Sequence, residues 1–103
     1  MTIRNTQIQT INTQIFKATG QQAVTTIVFC NVTTVTSTVN LFAVPLGGSP
    51  GVTTQVLNNV VLPGGETFAM DSERFVLENE DALYAQSDIN NAITVTISSV
   101  ATT

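Results

Sequence analysis

Residues 92–100 constrain this chain more than any other stretch. Ile93, Val95 and Ile97 alternate there with Thr94, Thr96 and Ser98. Successive side chains of a strand point to opposite faces, so this period sets one wall in a core and the other in water. A helix would spread the same apolar groups around its circumference. Similar segments recur along the chain, rich in β-branched residues that suit a pleated surface. Strands are predicted at residues 14–17, 23–31, 36–45, 54–62, 66–71, 75–77 and 82–87, with 92–100 closing the fold. Val39, Leu41 and Ala43 share one face of their strand, and Phe42 breaks the alternation to cover a sheet end. Val56, Val60 and Leu62 are spaced for one face of the next, and Phe68 pairs with Met70. Leu83 and Ala85 point inward from theirs. Asp71-Ser72-Glu73-Arg74 reads as one helical turn.

Turn residues punctuate these segments. Leu46-Gly47-Gly48-Ser49-Pro50-Gly51 and Pro63-Gly64-Gly65 supply positive and fixed φ angles, and Asp88-Ile89-Asn90-Asn91 turns on asparagine. Seven to eight short strands, with a turn signal roughly every 8–12 residues, specify an all-β fold. The expected architecture is an antiparallel β-sandwich, Ig-like or jelly-roll-like, over residues 14–103. Residues 1–13 hold only Ile3, Ile8 and Ile11 as apolar anchors, with Arg4 among them. They are expected to form an extended N-terminal arm that pairs along a neighbour's sheet edge, since strand addition relies on main-chain hydrogen bonds.

The polar positions are filled by neutral groups. The 103 residues include 18 Thr, 9 Asn and 7 Gln but only 10% charged residues. Such a surface leaves few charges to desolvate when subunits meet. The net charge is −4, and Arg4, Lys17 and Arg74 lie far apart. Phosphate recognition needs clustered Lys or Arg, so no nucleic-acid partner is expected, and an anionic membrane would be repelled for the same reason. No segment approaches the ~18 consecutive apolar residues of a membrane span. Residues 1–7 lack the apolar stretch of a signal peptide, so synthesis in the cytoplasm is expected. All seven acids fall within residues 66–88. This block is read as a solvated sheet end or as an electrostatic docking surface, with Glu78, Glu80 and Asp81 at its centre.

No residue set carries a reaction. Histidine is absent, Lys17 is isolated, and Ser72 has no base to activate it. No catalytic, metal-binding or cofactor-binding residues are therefore expected. The acidic turn lacks a calcium-loop pattern. The glycine-rich segment 46–51 has neither the Lys nor the helix of a phosphate loop. Cys30, in an apolar run, is read as a small buried hydrophobe. Asn31-Val32-Thr33 matches a glycosylation sequon of a kind common by chance.

Three segments carry a resemblance: Val61-Leu62-Pro63-Gly64-Gly65-Glu66-Thr67-Phe68, Phe75-Val76-Leu77-Glu78-Asn79-Glu80-Asp81-Ala82-Leu83-Tyr84-Ala85, and Ala92-Ile93-Thr94-Val95-Thr96-Ile97-Ser98. With residues 19–45 they resemble small β-sandwich virion proteins of tailed bacteriophages, especially marine and cyanobacterial phages. Glu80 departs from the pattern, because a Gly before the Asp is usual. The resemblance implies a non-enzymatic structural protein located in the virion, foremost a multi-copy capsid decoration (cement) protein. The partners it implies are the major capsid protein or other virion proteins, and copies of itself. A tail, neck or baseplate subunit is the alternative, and a host- or glycan-binding module a second one. The expected contact residues are Ile3, Arg4, Ile8 and Ile11 of the arm and Glu78, Glu80 and Asp81 of the acidic end.

Overall fold

The computed structural model describes residues 2–70 and 75–101. The helical turn expected at residues 71–74 lies outside them. Among the described residues nine strands follow one another: β1 (Thr2–Ile8), β2 (Thr13–Lys17), β3 (Gln22–Asn31), β4 (Ser37–Val44), β5 (Gln55–Leu62), β6 (Thr67–Met70), β7 (Phe75–Leu77), β8 (Ala82–Ser87) and β9 (Ile93–Ala101). A 3-10 helix at Val52–Thr54 precedes β5. All pairings are antiparallel. One sheet, here sheet A, runs β1-β9-β3 and ends on β6 and β7, which both pair with β3. The other, sheet B, runs β2-β8-β4-β5. The chain is the β-sandwich that its alternation predicts.

The inward walls make one core. Val24, Ile27, Phe29, Ile93, Val95 and Ile97 of sheet A meet Ile15, Val39, Leu41, Leu83 and Ala85 of sheet B. Phe29 stacks on Phe68 with ring centroids 6.3 Å apart. Each large side chain buried this way contributes about 1.5–3 kcal/mol.

Two expectations change. The first is the arm. Residues 2–8 form β1, paired with β9 of the same chain without a break from Thr2↔Ser99 to Ile8↔Ile93. Seven residues of ladder satisfy their main chain there, and the inward phase buries Ile8 completely. Few apolar anchors suffice for strand addition, as expected, but the acceptor edge belongs to the chain itself. The second is β5. Its register against β4 slips between Val39 and Leu41, and Asn59 adopts a left-handed φ of 50°. The extra residue shifts the phase, so Leu57, Val60 and Leu62 face the core while Val56 is exposed.

Candidate functional site

The sandwich has two ends. One carries the 78–81 turn, residues 18–21 and the loop after β4. The other carries residues 31–36, 62–66 and 86–92. The acids that are contiguous in sequence divide between them: Glu78, Glu80 and Asp81 at the first end, Glu66 and Asp88 at the second. The expected single acidic end is thus two, because the chain crosses the sandwich between β6 and β9.

The carboxylates at the first end serve the fold. Asp81 accepts the N–H of Leu46 through Oδ1 and that of Glu78 through Oδ2, each at 2.9 Å. Glu78 Oε1 accepts from Gln21 Nε2 at 2.9 Å. Glu80 pairs with Lys17 at 3.2 Å, half-exposed on both sides. Glu80 has a φ of 75°, the left-handed region that glycine adopts without a Cβ clash. This turn therefore has the geometry for which a Gly is usual. Among the described residues, no group of three or more His, Cys, Asp and Glu could hold a metal ion.

The second end is built on an asparagine that faces the core. Ile27, Phe29 and Asn31 share one phase of β3, and Asn31 is fully buried. A polar group there must be bonded. Its Nδ2 donates to Val35 O (2.8 Å) and Leu62 O (2.9 Å), and its Oδ1 accepts from Thr33 N (2.9 Å) and Thr33 Oγ1 (2.7 Å). The sequon residues form a closed turn, with the amide that a glycan would need locked inside. Beside it, a Cβ on Gly64 would lie 2.5–2.8 Å from the backbone of Thr34, so two main chains touch there. Asp88 accepts from Ser37 Oγ and from Thr38 N, and Ser37 Oγ lies 2.8 Å from Ser87 Oγ. The Ser37 hydroxyl first, then the Thr38 N–H, hold the Asp88 carboxyl below the usual carboxylate range.

The two broad faces differ. On the outside of sheet B, Asn40 Oδ1 accepts from Gln55 Nε2 (3.0 Å) and Asn59 N (2.7 Å), and Gln86 Nε2 donates to Thr10 O (2.9 Å). Phe42 and Val44 are buried on this side, where residues 45–51 and the 3-10 helix lie against β4. Phe42, which breaks the alternation, stands opposite Tyr84 and Gln55, the first residue of β5. Tyr84, the lone tyrosine, gives its hydroxyl to Gln14 Oε1 at 3.1 Å. The hollow around it measures about 180 Å³, and another beside Phe75 and Ala43 about 230 Å³. Small-molecule pockets are usually about 300–1,000 Å³.

The outside of sheet A is bare. Its cross-strand rows read Gln7-Thr94-Cys30-Thr67, Asn5-Thr96-Val28-Ala69, Ile3-Ser98-Thr26 and Val100-Ala23-Val76. No carboxylate, lysine or arginine stands in these rows. Thr96 Oγ1 donates to Asn5 Oδ1 at 2.8 Å, while the hydroxyls of Thr26, Thr67, Thr94 and Ser98 make no hydrogen bond among the described residues. Cys30 lies half-buried in the first row, because the residues on either side take the core phase. It is thus a face residue rather than a buried one.

The expected contact residues do not converge. Ile3 is 65% exposed on the bare face. Arg4 takes the other side of β1, with its guanidinium 5.6 Å from the centre of the Phe16 ring. Ile8 belongs to the core and Ile11 is 72% exposed in the turn after β1. Glu78, Glu80 and Asp81 are at the end away from Ile8 and Ile11. The bare face itself was announced only by the Thr and Ser of β9. Its other rows come from strand pairing.

No known protein family, curated protein or solved structure matches the chain. Among the described residues, no helix is long and apolar enough to cross a membrane.

Proposed function

We propose that this chain is a non-enzymatic structural subunit of a tailed-phage particle, present in many copies as a capsid decoration protein. One observation carries the reading: among the described residues, the outer face of sheet A is an array rich in Thr, Ser, Asn, Val and Ala without an ionised side chain. Packing such a face against a neighbour strands no charge, and its free hydroxyls can bond across the contact. Four strands at about 4.8 Å by nine residues at about 3.3 Å give roughly 600 Å², below the ~800 Å² per partner of a typical specific interface. A single contact of this size is weak, and many copies on one shell compensate by multivalency. The resemblance to phage virion proteins supplies the setting, with the major capsid protein or another virion protein as the neighbour.

Quantitative mass spectrometry of purified particles tests this. The expected result is a copy number that is a multiple of the shell's symmetry. A copy number equal to one ring would move the protein to the tail, neck or baseplate. Its presence in infected-cell lysate but not in particles would overturn the virion reading altogether.

A further inference from the structure

A sheet edge exposes unpaired N–H and C=O groups, and proteins blunt such edges with bulges, very short strands, proline or charge. Among the described residues the sandwich has five edge strands. The register of β2 slips between Gln14 and Phe16, and that of β5 slips twice. β6 has four residues and β7 three. β1 has seven residues, an unbroken register, and no Gly or Pro. Its one charged residue, Arg4, has its guanidinium over Phe16. Among the described residues, no backbone hydrogen bond reaches β1 from the side away from β9.

We infer that β1 is a self-association edge, and that its occupant is the β1 of a second copy running antiparallel. A two-fold axis at Asn5 pairs the whole strand. Asn5 then faces Asn5 of the second copy, Ile3 faces Gln7, and Arg4 faces Thr6. An antiparallel pair of identical strands is self-complementary and closes as a dimer instead of growing into a fibre. Charge on the described residues does not oppose a second copy. The described acids lie at the two ends of the sandwich and none is on β1, so the approach brings none of these carboxylates together. The dimer would join both sheets A into one sheet, with the bare faces continuous across the axis. That doubles the neutral area of one rigid body to roughly 1,200 Å². The inference does not depend on the phage reading, since it concerns the purified chain alone.

Light scattering of the full chain over a concentration series tests it, with three variants. The wild type should pass from the 10.9 kDa monomer to twice that mass as concentration rises. Asn5→Lys sets two ammonium groups opposite each other, and like charges there should weaken the dimer about fivefold or more with the circular dichroism spectrum unchanged. In a Cys30→Ser background, Asn5→Cys should form a disulfide-linked dimer on mild oxidation, and Asn58→Cys on the bulged β5 edge should not. A chain that stays monomeric throughout overturns the inference and reserves the edge for another protein's strand. A dimer indifferent to Asn5→Lys, or cross-linking as readily at position 58, overturns it too.

Discussion

The end that holds Asn31 and the outer face of sheet A both draw on Thr, Ser and Asn and employ them differently. At the end, the Asn31 amide, the Thr33 hydroxyl and the Ser37 hydroxyl are each spent on partners within the chain. On the face, the Thr96 hydroxyl bonds Asn5, while those of Thr26, Thr67, Thr94 and Ser98 have no partner among the described residues. A Thr- and Asn-rich composition therefore has two meanings in one molecule. Where a polar side chain takes the inward phase, burial forces it to bond and it becomes part of the fold. Where it takes the outward phase, water can satisfy it and nothing forces an internal bond: Thr96 bonds its ladder neighbour Asn5, while Thr26, Thr67, Thr94 and Ser98 keep hydroxyls available to another molecule.

Substitutions can break that division, and the largest effect belongs to the end. Asn31→Ala leaves the buried Leu62 carbonyl and the Thr33 N–H without their amide partner, and takes one of its two donors from the Val35 carbonyl. It should cost about 3 kcal/mol or more in urea unfolding. A loss below about 1 kcal/mol would mean that the end is no more committed to the fold than the face. Gly64→Ala comes next. Its Cβ would meet the Thr34 main chain, which cannot rotate away, and overpacking of this kind costs about 1–3 kcal/mol. An unchanged unfolding midpoint would show that the two loops do not bear on each other.

Asp88 gives a smaller, pH-dependent test. Its carboxyl is held below the usual range, so the charged form is favoured by folding. The stabilisation it adds is complete at neutral pH and disappears as pH falls through the lowered folded value. Asp88→Asn should lower Tm by a few degrees at most at pH 7, because the group is exposed. The difference from wild type should shrink in acid. A difference that grows on acidification would reverse the assignment. The face should give the smallest folding effect. Thr94→Ala should change stability by less than about 0.5 kcal/mol. Cys30 in the same row should react with a thiol reagent in the free chain and be shielded in purified particles. Strong destabilisation by Thr94→Ala would make the face a structural element like the end.

Much of the fold was legible because alternation is local. The inward set Ile93, Val95, Ile97 and the pair Leu83, Ala85 could be read directly from their spacing. In β5 the spacing places Val60 and Leu62 correctly but not Val56, because a bulge at an asparagine has no distinct signature among Leu57-Asn58-Asn59-Val60. Asn31 could have been found: a polar residue two places beyond Ile27 and Phe29 occupies a core position. The acidic cluster was contiguous only along the chain.

The amino-acid order by itself determined that this chain makes short, two-sided strands with a neutral polar wall, since side-chain period and turn residues act over a few positions. Only the tertiary structure decided which strands lie side by side. That choice made β1 an edge instead of a free arm, parted the acids, and assembled the uncharged face from strands far apart in sequence. Pairing is settled by main-chain hydrogen bonds, which every residue but proline can make, and so it leaves little trace in side-chain identity.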